Sequence, residues 1–271
     1  MRIATRGSAL ALAQARWVAE RLEPPGELVP IVTSGDRRRA VRDKREWVLE
    51  LEEALARGDA DLAVHSAKDV PVERPASLRF VAVPPRADPR DVLCGAPSLE
   101  ALAPGARVGT SSLRRRAQLL ARRPDVEAVE IRGNVDTRLR KLAGGEVDAL
   151  ILAAAGLERL GRADAADAVL DFVPAAGQGT LVVEARAGAA PLPAVDDRSA
   201  AADLDAERAV VAALGADCRS AVGVHAAGGR IRAFVGRPDG SAWLTDEVEG
   251  DDAAALIAER LLAVGARELL A

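Results

Sequence analysis

The chain has no tyrosine, a single asparagine, two cysteines and two histidines among 271 residues. With histidines only at 65 and 225 and cysteines only at 94 and 218, no metal-ligand spacing forms and no metal centre is expected. Aromatic residues make up 2% of the chain. That scarcity removes the stacking platforms on which single-stranded nucleic acid binds. The chain also lacks any run of about 18 apolar residues, the length a membrane helix needs. Neither a Gly-x-Gly-x-x-Gly fingerprint nor a Gly-Lys-Ser/Thr phosphate loop occurs, so nucleotide binding is weakly supported. The first residues lead into a patterned segment without an apolar signal-peptide core, and the protein is expected to be soluble and cytoplasmic. The shortage of asparagine, glutamine and tyrosine fits a G+C-rich genome and heat tolerance, and says nothing about chemistry.

Charge is abundant. The 37 basic residues are outnumbered by 41 acids, giving a net charge of -4 and no overall field of the kind that drives nucleic-acid binding. Lysine occurs only at 44, 68 and 141, so arginine is the default cation and a lysine kept in a loop draws notice.

The first two-thirds alternates short β-rich runs with amphipathic helical patterns, as open α/β sheets do. Strands are predicted at 2–5, 28–32, 62–65, 78–83, 107–109, 126–131 and 149–152, and helices at 9–21, 46–56, 113–121 and 135–142. The pattern breaks at Pro84, Pro85 and Pro89, a crossover to a second lobe. A return crossing is predicted over 173–180, leading into a strand at 181–185 and a Gly/Ala/Pro-rich linker at 187–195. The remainder reads as a helix at 203–214, a loop with Cys218, strands at 221–226, 230–236 and 242–248, and a final helix from Asp251. This is a small α+β domain beside two α/β lobes.

Four loops at predicted strand ends deliver cations or hydroxyls ahead of a helix. In Gly109-Thr110-Ser111-Ser112-Leu113-Arg114-Arg115-Arg116 the hydroxyls suit capping, and free N–H groups at a helix start favour an anion. Arginines there oppose the helix dipole unless a bound polyanion offsets them; the competing reading is a solvated basic face. Arg132, Asn134 as cap and Arg138 repeat the logic. His65-Ser66-Ala67-Lys68-Asp69 sets a cation beside a carboxylate, usually a surface pair of little consequence, but in a cleft a proton-handling acid beside an anion ligand. Thr5-Arg6-Gly7-Ser8 is the fourth. Together they point to one cleft for a ligand with several carboxylates or phosphates.

Cys94, in Val-Leu-Cys-Gly, reads as a buried small hydrophobe at a strand end. Cys218, in the polar Gly-Ala-Asp-Cys-Arg-Ser loop, reads either as an inert thiol or as a covalent attachment point. His65 reads as a core or hydrogen-bonding residue rather than a base, and Trp17, Trp47 and Trp243 as packing residues.

The segments RIATRGSALALAQA, DLAVHSAKDVPVE, VGTSSLRRRAQL, IRGNVDTRL, DALILAAAGLERLG and PAAGQGTLVVEAR occur in this order. On these segments, and on the cysteine loop and terminal domain, the chain resembles the hydroxymethylbilane synthase family, also called porphobilinogen deaminases, over nearly its whole length. The resemblance implies two lobes like those of type II periplasmic binding proteins and a third domain carrying the cysteine. The expected division is 1–85 with 178–195, 86–177, and 196–271. It implies a transferase that joins four porphobilinogen molecules head to tail with loss of ammonia and releases hydroxymethylbilane. The priming cofactor would be dipyrromethane, held by a thioether to Cys218. By motif position Asp69 resembles the catalytic carboxylate. Ser66, Lys68, Thr110, Ser112, Arg114 and Arg115 resemble cofactor ligands, and Arg6, Ser8, Arg132, Arg138, Arg159 and Gln178 resemble substrate-side ligands. The expected partner is porphobilinogen alone, with no nucleic acid, no membrane and a monomeric chain.

The chain departs from the family pattern between Asp36 and Glu50, where a longer Gly-Gly-Lys-Gly-Leu-Phe loop is usual and Lys44 and Trp47 take the places of its Lys and Phe. Around the cysteine, Gly-Gly-Cys-Gln-x-Pro becomes Ala-Asp-Cys-Arg-Ser-Ala. The rival reading is a non-catalytic two-lobed receptor for a small anion, since fold alone does not separate the two.

Overall fold

A computed structural model describes residues 1–37, 45–217 and 219–270; Lys44 and Cys218 lie outside the described residues. In chain order the elements are β1 (Arg2–Arg6), α1 (Ala9–Ala19), β2 (Glu27–Ile31), α2 (Ser34–Arg37), α3 (Arg45–Arg57), β3 (Leu62–Ser66), a single 3-10 turn (Ala67–Asp69) and β4 (Leu78–Ala82). After the proline-rich crossing come β5 (Asp91–Cys94), β6 (Arg107–Gly109), α4 (Leu113–Arg122), β7 (Glu127–Val129), α5 (Val135–Ala143), β8 (Ala149–Ala153), α6 (Ala154–Arg159) and β9 (Ala168–Leu170). β10 (Leu181–Arg186) and α7 (Arg198–Leu214) follow, then β11 (Ala221–Ala227), β12 (Arg230–Gly236), β13 (Trp243–Glu249), α8 (Ala253–Ala263) and α9 (Ala266–Leu270).

The described chain forms two compact units, 1–87 with 177–204, and 88–176 with 205–271. The first holds a five-stranded sheet ordered β2-β1-β3-β10-β4; the second holds one ordered β7-β6-β8-β5-β9. In each, the first three strands are parallel and the fourth runs antiparallel. That fourth strand is in both cases the one laid down just after a crossing, β10 or β5. The second unit also contains the antiparallel sheet β11-β12-β13. The architecture is therefore two α/β lobes of like strand order and a small three-stranded α+β domain.

Alternation along the strands explains the packing. Ile3 and Val64 face the cluster under α1, while Ala4 and Ala63 face Leu51 and Leu55 of α3. In the small domain Val224 and Ala226 of β11 join Ile231, Ile257 and Leu261 in one core. The opposite face brings Ala221 and Phe234 against Ala117 of α4 and Val173. Gly223 permits this approach, because a Cβ there would stand 2.5 Å from the Val173 carbonyl oxygen.

Strand and helix positions agree with the sequence pattern to within a few residues, except that α7 begins five positions earlier, at Arg198 rather than 203. β9, α2, α6 and a separate α9 are absent from the sequence expectation, and of β5 only the end at Cys94 is present in it. Trp243 corrects the expectation of a packing residue, being 47% exposed, whereas Trp17 and Trp47 pack partly buried against core clusters. No helix among the described residues is long and apolar enough to cross a membrane.

Candidate functional site

In the second unit, β6 ends at Gly109 and Ser112 caps α4, its hydroxyl accepting from the Arg115 backbone N–H. Asn134 caps α5 in the same way, from Thr137 N–H, and in the first unit Ser8 caps α1 from Ala11 N–H. Three of the four expected cation loops are thus true helix starts. The fourth is the single turn Ala67–Asp69, where Ser66 makes no capping bond.

Arg114 and Arg115 are buried rather than solvated, and only Arg116 of the triplet is exposed. What offsets them inside the protein is Asp91, at the start of β5. Its Oδ2 accepts from Arg114 Nη1 at 2.6 Å and its Oδ1 from Arg115 Nε at 2.8 Å. Arg114 Nη1 also donates to the Val173 carbonyl at 2.7 Å, and Arg115 Nη1 to the Ile151 carbonyl at 3.0 Å. Arg114 Nε is buried with no hydrogen-bond partner among the described residues. Thr110 is buried beside this group, and its hydroxyl accepts from the Ser112 N–H at 3.2 Å.

Arg138, half-buried on α5, donates through Nε to the Gly133 carbonyl at 2.8 Å. It makes no ion pair among the described residues. Burial, reinforced by repulsion from Arg115, pushes its guanidinium down to about 10. Burial pushes Arg159 of α6 down to about 10 as well, against a small opposing effect of Glu158. Arg132 is different, an exposed side chain whose Nη2 donates to Glu130 at 2.6 Å. The second unit therefore sets two buried guanidiniums, Arg114 and Arg115, on one carboxylate, Asp91, with Arg138 near enough to Arg115 to be repelled by it. This carboxylate is the member that sequence reasoning missed.

In the first unit, the turn after β3 carries Lys68 and Asp69. Lys68 Nζ donates to Gln178 Oε1 at 3.4 Å, and Gln178, 1% exposed, accepts through its backbone carbonyl from Arg86 Nε at 3.0 Å. The Ala67 N–H donates to the Thr180 carbonyl at 2.9 Å. Gly177, at φ 74°, lies so close that a Cβ would come within 2.9 Å of Ala67 C and Lys68 N. The turn is thus clamped by the 177–180 segment. The Asp69 carboxylate forms no hydrogen bond or ion pair among the described residues. Its half-exposed position leaves it able to accept a proton or face a cation.

Arg6 has an internal partner, Asp36, and its guanidinium stacks 3.9 Å from the Trp47 ring centroid. Burial would raise the Asp36 carboxyl, but Arg6, with help from Thr33, outweighs it and holds the acid below the usual carboxylate range. Cys94 is buried as expected, and burial with the nearby Asp167 charge pushes its thiol up to about 11. Such a thiol is inert at neutral pH.

A family model described as the dipyromethane cofactor binding domain of porphobilinogen deaminase matches residues 1–193. The chain belongs to the porphobilinogen deaminase family. Among its relatives of that name, the protein of Rubrobacter xylanophilus is 47% identical, with 99% of this chain and 95% of the relative covered. Those of Thermus thermophilus and Thiobacillus denitrificans are 44% and 45% identical, each over 99% of this chain and 97% of the relative. A methionine-binding protein, MetQ, has a TM-score of 0.44 at 17% identity over 69% of this chain and 83% of its own; the fold class stands on the strand order above. Membership in an enzyme family of this kind sets aside the non-catalytic anion receptor.

The porphobilinogen deaminase cofactor is a dipyrromethane, and the residues present fit it. Arg114, Arg115 and Arg138 bring three guanidiniums to a region where Asp91 offers one carboxylate, and Arg114 Nε is a buried donor without an acceptor among the described residues. A buried excess of cations calls for an anionic ligand, and the acid arms of a dipyrromethane meet that demand. The matched region contains these arginines and the Ser66–Asp69 turn and ends before Cys218.

Proposed function

We propose that this chain joins four porphobilinogen molecules head to tail, losing one ammonia at each addition, and frees the tetrapyrrole as hydroxymethylbilane by hydrolysis. The observation that carries the assignment of roles is the excess of buried guanidinium over carboxylate around Asp91.

The dipyrromethane, bound by a thioether to Cys218, supplies the terminal pyrrole carbon on which the product is built. Arg114 and Arg115 hold its acid arms, already oriented by Asp91, so that little side-chain freedom is lost on binding. Ser66 and Lys68 in the first unit, Lys68 oriented by Gln178, and Thr110 and Ser112 in the second are the further cofactor ligands by motif position. Arg6, Ser8, Arg132, Arg138 and Arg159 receive the acetate and propionate groups of the incoming substrate, and for Arg6 this means exchanging Asp36 for a substrate carboxylate. Asp69, with no hydrogen-bond or ion-pair partner among the described residues, stabilises the positive charge that develops when ammonia leaves and moves protons at the pyrrole nitrogen.

The division into residues 1–85 with 178–195, 86–177 and 196–271 is proposed for the functional domains, the last carrying Cys218. A monomer working in the cytoplasm, free of membrane and nucleic acid, accords with the net charge of -4.

Intact-mass measurement with peptide mapping tests the attachment. The expected adduct equals two porphobilinogen units less two ammonias, on Cys218. An adduct on Cys94, or an active Cys218→Ala protein that still carries the adduct, overturns it.

A further inference from the structure

On the face of the first sheet beneath α3, Arg6 and Arg186 stand at the rim and one polar group, Glu184 with His65, is buried among apolar side chains. Glu184 of β10 lies opposite Ala63 of β3, and His65 lies one pleat further on, opposite Val182. Their side chains share the α3 face, with Glu184 Oε2 3.4 Å from His65 Nε2. Glu184 is 0% exposed and His65 5%. The two atoms are in close contact without hydrogen-bond alignment, and neither Glu184 oxygen has a hydrogen-bond partner among the described residues. Arg74 Nη1 stands 3.9 Å from Glu184 Oε1 while its guanidinium stacks on Phe80, 3.7 Å from the centroid. From α3, buried Glu52 and exposed Arg45 also face the group; burial first and Glu184 second push the Glu52 carboxyl upward.

Such a group is a poor way to stabilise a sheet. A buried carboxylate with imperfect partners is worth less than apolar side chains of the same volume. Sequence rules are broken in this manner chiefly where a site requires it. The group sits at the foot of the Ser66–Asp69 turn: His65 is the last buried residue of β3, and Lys68 and Asp69 follow within one turn.

We propose that Glu184 and His65 are positioning residues, whose buried contact fixes the end of β3 and so the direction in which Lys68 and Asp69 point. This rests on the reading of Asp69 as the catalytic carboxylate. Small displacements of a reacting group, on the order of 1 Å, cost up to about a hundredfold in rate, which is the scale on which a positioning contact acts.

The test uses cofactor-loaded enzyme and measures kcat, KM for porphobilinogen and the urea unfolding midpoint in parallel. His65→Leu and Glu184→Gln are expected to lower kcat about tenfold or more, with KM changed less than about twofold. The double variant His65→Leu/Glu184→Leu, which removes both groups of the contact and leaves Arg74 beside Glu52, is expected to recover much of the midpoint but not kcat. His65→Gln, whose amide reaches the same carboxylate, is expected to recover most of kcat, and the shorter His65→Asn is not. If kcat follows the midpoint in every variant, or if Gln and Asn at 65 are equally active, the contact is structural only and the proposal fails. Asp69→Asn run alongside separates the causes. Near-normal turnover there removes the reading on which the proposal rests, whereas an inactive Asp69→Asn beside a fully active double variant removes the proposal alone.

Discussion

The Asp91 carboxylate holds the Arg114 guanidinium through both oxygens, at 2.6 and 3.2 Å, where neither side chain is more than 3% exposed. The same carboxylate also binds Arg115, so removing its charge strands two buried cations at once. Asp91→Asn is expected to lose about 3–5 kcal/mol of stability, the range for breaking a buried pair from one side. It should also be recovered mostly without cofactor. Denaturant unfolding and intact mass check both; a loss under about 1 kcal/mol would class the contact with surface ion pairs.

Asp69→Asn keeps the shape of the side chain and removes its charge and proton-accepting capacity. It should fold, retain cofactor and lose turnover by about two orders of magnitude or more, because proton transfer and charge stabilisation fail together. Asp69→Glu should keep a remnant. Ammonia release by cofactor-loaded variants is the measurement, and near-normal release from the Asn variant would move the role elsewhere.

Arg138 separates stability from function. Its burial opposes the charged form at every pH below about 10. Replacing it with leucine should leave the substrate-free protein at least as stable as wild type while raising KM for porphobilinogen about tenfold or more. The sign of the pH effect is fixed by proton binding. Above about pH 10 the folded protein has released a proton that the unfolded chain still holds, so wild-type stability should rise relative to Arg138→Leu through that window. A difference between the two proteins that does not vary with pH would contradict this.

At Gly177 both the positive φ and the 2.9 Å approach to Lys68 N forbid a side chain. Gly177→Ala should cost about 1–3 kcal/mol and reduce turnover by displacing the turn. Thermal unfolding and kinetics on the same sample check it; full activity at reduced stability would show that the turn absorbs the strain without moving Lys68.

Most of the α/β framework was legible because half-buried strands and amphipathic helices leave a periodic trace. β9 left none, being three residues at a sheet edge with one buried position. The helix-starting hydroxyls were legible for a local reason, since Ser8, Ser112 and Asn134 each bond within three residues. Asp91 and Glu184 were not, because their meaning is set by strands distant in sequence. In Ala-Asp-Pro-Arg-Asp the acid looks like loop charge, and only the entry of β5 beside β8 brings it to α4. Glu184 did carry a signal, a lone acid inside Leu-Val-Val-Glu-Ala in the interior of a sheet. The arginines after Ser112 stand out at a helix start, where the sequence points to a bound polyanion as their offset; part of that offset is the protein's own Asp91 carboxylate.

The order β2-β1-β3-β10-β4 also has a consequence for how the polypeptide is made. β3 and β4 are synthesised early, yet the strand that lies between them ends at Arg186, after every strand of the second lobe. A ribosome-bound chain that has delivered β4 holds two apolar strands with no shared neighbour, and exposed strand edges of this kind invite pairing with other chains. The lobe that emerges first therefore cannot close until the lobe that emerges second has been translated. Vulnerability during synthesis is concentrated in the amino-terminal half.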